Sequence, residues 1–136
     1  MSLPNWARVL LIMICFGVSV IGFMIKLPSA FRHVDKEMHT LFYFLAAAFL
    51  NVIFKNRNLI WHIVIFIILY LFSMAIEYAQ EYSNKFFRKR IHGRYDVEDI
   101  QANLKGLVLF SMVWIVLVGI WFVYNKLKFS KTEQAG

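Results

Sequence analysis

Apolar residues fall into four long runs, and the segments between those runs are polar and crowded with charge. The first run covers about 9–25, with Trp6 and Arg8 before it and Lys26-Leu27-Pro28 as a stop. A second covers about 36–54 when its polar first turn is counted. The tight polar turn Lys55-Asn56-Arg57-Asn58 follows, and the third run continues over about 59–80. The fourth covers about 99–124 and ends in a basic, polar tail over 125–136 that is expected to fray. A helix needs ~20 residues to cross a ~30 Å hydrocarbon layer, and these runs are near that length. The pattern predicts an all-α membrane protein, an antiparallel bundle of four transmembrane helices forming one domain over residues 1–136. The short turn makes the second and third helices a hairpin, and one long basic loop, 81–98, joins the third to the fourth. Ser29 and Ala30 leave a signal-peptide reading of the first run open; we read that run as a retained anchor helix.

Composition supports the membrane class. Of 136 residues 60% are apolar, above the ~45–50% usual for soluble domains, and 14 Phe, 6 Tyr and 4 Trp suit lipid-facing helices with aromatic belts. A formal charge of +7 would point to nucleic acid in a soluble chain. Here the cations sit between apolar runs, where they set topology and meet lipid head groups, so no nucleic-acid partner is expected. In the 81–98 loop Lys85, Arg88, Lys89, Arg90 and Arg94 stand beside Phe86 and Phe87, a mixture that suits a segment lying on the membrane interface. The single cysteine, Cys15, lies in an apolar run and excludes an intrachain disulfide or a cysteine metal cluster.

Ionisable groups at membrane depth are expensive and by default mark a function. His39 lies one turn into the second helix, Glu77 and Gln80 near the end of the third, and Asp99 and Asn103 at the start of the fourth. In an up-and-down bundle those three helix ends share one membrane face. Within each helix the polar residues fall on one stripe: Asp35, His39 and Tyr43; Glu77, Gln80 and Glu81; Asp99, Asn103 and Gly106. Asp96 and Glu98 are better read as carboxylates favouring a helix N-terminus. Glu77 lies at the unfavourable end of its helix dipole and needs a partner, for which His39, Lys36 and Arg94 are the candidates. His62, beside Trp61 near the other face, reads as an interfacial histidine without a site role, and Asn51 as a packing hydrogen bond or an interfacial residue.

Three elements together resemble the VanZ-like family of small bacterial membrane proteins: Asp35-Lys36-x-x-His39, Glu77-x-x-Gln80, and Arg94-x4-Asp99-x3-Asn103-x2-Gly106. The resemblance covers about residues 35–110, with the first helix matched only as an apolar span. Lys105 and Phe110 depart from it, standing where the family more often has an uncharged residue and a second glycine. The founding member is associated with resistance to the glycopeptide teicoplanin. The resemblance implies a multi-pass protein of the bacterial inner membrane with a general cell-envelope function.

Three functions fit these residues. In the first, the cluster binds a lipid-linked or anionic envelope molecule, with Asp35, Lys36, Gln80, Arg94 and Asn103 as ligand contacts and membrane lipids as partners. In the second, an intramembrane hydrolase or transferase uses Glu77 and His39 as an acid–base pair with Asp99 beside them. A variant in which His39, Glu77 and Asp99 hold a divalent metal lacks any sequential metal motif, so no cofactor is expected. In the third, the cluster is only a hydrogen-bond network that fixes the bundle. Both termini are expected to be cytoplasmic.

Overall fold

In the computed structural model of the chain, residues 3–24, 34–88 and 95–136 are described. They form helices α1 (Asn5–Met24), α2 (Asp35–Ile53), α3 (Leu59–Phe86) and α4 (Val97–Ala135), with no strand among the described residues. Of these, α1, α3 and α4 are long and apolar enough to cross a membrane. The first turns of α2 carry Asp35, Lys36, Glu37 and His39, which shorten its apolar stretch.

Local chemistry sets the helix ends. The Asn58 side chain accepts from the Ile60 amide at 2.8 Å and caps α3, and Asp96 caps α4 by accepting from the Glu98 amide at 2.8 Å. Between α2 and α3 the chain reverses through Lys55, whose φ of 48° is left-handed, while the Asn56 amide donates to the Asn51 carbonyl at 2.8 Å. Two helices exceed their hydropathic lengths. Residues 81–86 of the expected loop continue α3, where Lys85 lies 3.5 Å from Glu81 one turn back. The tail expected to fray is helical to Ala135. Within the expected loop, 89–94 lie outside the described residues.

α2 and α4 share the most extensive interface. Gly106 makes it possible: a Cβ there would overlap the Thr40 carbonyl and come within 3.1 Å of the Phe44 amide nitrogen. Lys36 meets Asp99 and Phe44 meets Phe110 across this interface, while Glu77 meets Asp96 and His62 meets Ser111 across α3 and α4. Tyr43, Ala47, Leu69, Leu107, Phe110 and Trp114 fill the core between them. No residue of α1 is buried, and its Phe16 ring rests 5.3 Å from Phe72 of α3. Outward-facing apolar side chains cover the helices; Val52 is 72% and Ile60 71% exposed. In water such surface would forgo ~25 cal/mol per Å², so the exterior is suited to lipid tails.

Candidate functional site

The polar starts of α2 and α4 come together. From the first turn of α2, the Lys36 ammonium donates to Asp96 Oδ2 at 2.7 Å and to Asp99 Oδ1, with Glu98 Oε2 at 3.7 Å. Asp96 thus has two roles, helix cap and ion-pair partner. Partial burial opposes charge on Asp96, yet hydrogen bonds from Lys36 and the Glu98 amide prevail and hold its carboxyl below the usual carboxylate range.

One turn deeper, His39 Nδ1 lies 2.8 Å from Asn103 Oδ1, and Asn103 Nδ2 donates to Ser73 Oγ at 3.0 Å. The amide nitrogen of Asn103 is thus committed to Ser73, which leaves its carbonyl oxygen facing the imidazole. A carbonyl oxygen can only accept, so Nδ1 carries a proton. His39 Nε2 then faces Asp35 Oδ1 at 3.7 Å and Asp99 Oδ2 at 3.9 Å, beyond hydrogen-bond distance of either. Asn103 and Ser73 are fully enclosed, as is Tyr43, one turn beyond His39 on α2.

Glu77 is 1% exposed. Its Oε2 accepts from the Asp96 amide at 3.2 Å, and Glu81, one turn on, accepts from the Tyr95 amide at 3.2 Å, so the two carboxylates hold the entry into α4. Glu77 Oε1 has no hydrogen-bond partner among the described residues. The direct partner of Glu77 is therefore a backbone amide, not His39 or Lys36; Arg94, the third candidate, lies outside the described residues. Gln80 is turned to α1, where its Nε2 donates to the Phe23 carbonyl at 2.6 Å. Of the residues singled out in the sequence, Asp35, Lys36, His39, Asp99 and Asn103 meet directly, Glu77 joins them through Asp96, and Gln80 points to α1.

Beside this cluster a groove of about 680 Å³ runs between α2 and α4. At the helix starts it is lined by Lys36, Glu37, Glu98 and Gln101, and further along by Leu41, Phe44, Lys105 and Leu109. Thr40, in its wall, donates to the Ala102 carbonyl at 3.0 Å.

A second polar cluster lies away from the first and overturns the interfacial reading of His62. That ring is buried, stacked on Trp114 at 4.2 Å, with Nδ1 3.2 Å from Asn51 Oδ1 and Nε2 2.9 Å from Ser111 Oγ. Asn51 also donates to the Ala47 carbonyl and accepts from Asn56, a packing role. Ser73 and Ser111 carry no signal in the sequence, since a serine in an apolar run is ordinary in a membrane helix.

No family model matches the chain, nor does any curated protein or solved structure.

Proposed function

We propose that the chain is a multi-pass protein of the bacterial cell membrane, similar to VanZ-like proteins. In this reading it binds an amphiphile with an anionic or lipid-linked envelope head group at its polar end. The observation that carries the reading is the groove between α2 and α4, which is polar at the helix starts, where Lys36 lies with Glu37 and Glu98, and further along has Lys105 among the apolar Leu41, Phe44 and Leu109. A head group at the first end and an acyl or prenyl chain along the second would match both the chemistry and the direction of the groove. The order of contacts supports an up-and-down bundle of four spans: pairs across α2 and α4 advance together, Lys36 with Asp99 and Phe44 with Phe110. Pairs across α3 and α4 run in opposite senses, Glu77 with Asp96 and His62 with Ser111. At a rise of ~1.5 Å per residue, α2 is about 28 Å long, enough to cross with its polar turn at the head groups.

Native mass spectrometry of the detergent-solubilised protein tests the reading, with phosphatidylglycerol, a polyprenyl phosphate and phosphatidylcholine as probes. One anionic lipid should be retained in preference to phosphatidylcholine, and Lys36→Met combined with Lys105→Met should remove the preference. Equal retention of the three lipids, or a preference untouched by the double substitution, would refute it.

A further inference from the structure

The cluster that should receive an anion is itself rich in carboxylates. Lys36 is engaged by Asp96 and Asp99 and has Glu98 at 3.7 Å, and Asp35 and Glu77 lie in the same cluster. We propose that Asp35, His39 and Asp99 form a binding site for a first-row transition-metal dication, Zn²⁺ or Mn²⁺, held by one imidazole nitrogen and two carboxylate oxygens.

Four observations meet here. One donor atom from each of the three residues lies within 4.8 Å of the other two. The His39 side chain is 9% exposed, and its Nε2 faces the two carboxylates without a hydrogen bond to either. Because Nδ1 donates to Asn103, Nε2 is the ring nitrogen left to face the two carboxylate oxygens, and it can give its lone pair to a cation bound between them. A metal-bound imidazole almost always donates its other N–H to a fixed acceptor; Asn103 is that acceptor, and Ser73 orients it. Finally, Asp99 divides its oxygens, giving Oδ1 to Lys36 and turning Oδ2 to His39, so Lys36 can stay in place while the metal binds.

The distances fit. Metal–ligand bonds of ~2.0–2.2 Å separate neighbouring donors by about 3.0–3.5 Å, so the 3.7 and 3.9 Å gaps need to close by about 0.2–0.9 Å and the two carboxylate oxygens, within 4.8 Å of one another, to draw in with them. The imidazole favours a transition-metal ion over Ca²⁺ or Mg²⁺, which prefer all-oxygen shells. Three protein ligands leave positions open for water or for a phosphate oxygen. That last role, a metal bridge from an anionic head group to an acid-rich pocket, rests on the binding reading above; the metal site itself does not.

The test uses tag-free protein in detergent micelles, stripped with a chelator, reloaded with Zn²⁺ or Mn²⁺ and freed of excess. Plasma mass spectrometry should find about one ion per chain. Asp35→Asn and His39→Ala should each lose it, Asn103→Leu should weaken binding about 10–100-fold, and His62→Gln should keep it. Asp35 is partly exposed at a helix start, so its variant remains informative if His39→Ala does not fold. Co²⁺ loaded in place of Zn²⁺ should give visible ligand-field bands that change when His39 is replaced. Substoichiometric loading with both ions, loading unaffected by Asp35→Asn, or equal loss in His62→Gln would overturn the proposal. Lipid retention measured with and without metal then examines the bridge separately: a bound metal with no effect on lipid would sink the bridge and leave the metal site standing.

Discussion

At the scale of single residues, the α2–α4 contact turns on Gly106. Any Cβ at this position meets backbone atoms of Thr40 and Phe44, which cannot swing aside as a side chain can. Gly106→Ala should therefore cost about 1–3 kcal/mol, as overpacking of a tight interface does, and lower the thermal midpoint in a size-exclusion stability assay. Gly119, with nothing within 4 Å of its notional Cβ, is the internal control: Gly119→Ala should leave the midpoint unchanged or raise it. Glu77 poses the opposite question, since it is buried with one carboxylate oxygen unpartnered among the described residues. Glu77→Gln keeps an acceptor for the Asp96 amide and removes a charge from an acid-rich cluster. It should fold, insert and melt at or above the parent temperature. Glu77→Ala strands the Asp96 amide and should melt lower, because a buried donor without an acceptor costs about 1–3 kcal/mol. A Glu77→Gln variant that melts far below the parent with binding intact would show that the carboxylate serves the fold alone.

At the scale of helices, hydropathy locates the apolar spans and is a poor guide to where a helix stops. It places the start of α3 at Leu59, where the structure has it, and the bounds of α2 within one residue. It ends α3 at 80 and α4 at 124, yet the helices continue, because water-facing turns such as 81–86 are held by backbone hydrogen bonds and by pairs like Glu81–Lys85. The site was legible to the same extent. Helical spacing identifies the faces carrying His39 and Asn103, and these faces do meet; no spacing rule indicates that Ser73 orients Asn103, that Gln80 turns to α1, or that Asp96 pairs with Lys36 while capping α4. The same blindness hid the second cluster, where Trp61-His62 looks like an aromatic belt until Asn51 and Ser111 from two other helices close on the ring. That cluster joins α2, α3 and α4 away from the proposed ligand site, so it should act on stability alone. His62→Leu removes two hydrogen bonds, to Asn51 and Ser111, which keep their contacts to Ala47, Asn56 and Leu107; at about 0.5–1.5 kcal/mol for each bond it should cost about 1–3 kcal/mol, with lipid retention per folded molecule unchanged. Lost retention at preserved stability would instead join the two clusters functionally.

For the whole molecule the open quantity is orientation, and the charges pull both ways. On the side holding the termini and the 55–58 turn lie Arg8, Lys55, Arg57, Lys126, Lys128 and Lys131; the other side has Lys26, Arg32, Lys36, Lys85, Arg88, Lys89, Arg90 and Arg94. A bare count of cations would put the second set in the cytoplasm. Two cations of that set are engaged, however: Lys36 is held by Asp96 and Asp99, and Lys85 lies beside Glu81. On the terminal side Glu133 is the one acid near the helix ends, and Arg57 is placed 4.0 Å over the Trp121 ring with no carboxylate partner among the described residues. α4 adds a further asymmetry, because 39 residues at ~1.5 Å each make about 58 Å, nearly twice a ~30 Å hydrocarbon layer. Lys126, Lys128 and Lys131 therefore stand on a helix past the apolar stretch, not on a frayed tail. We therefore expect both termini in the cytoplasm and the His39–Asp99 end facing the envelope. In a Cys15→Ser background, cysteine at the well-exposed Lys85 should react with a membrane-impermeant maleimide in intact cells, and cysteine at Lys131 only after permeabilisation. The reverse pattern would turn the polar pocket towards the cytoplasm, and its ligand would then have to be sought among lipids of the inner leaflet.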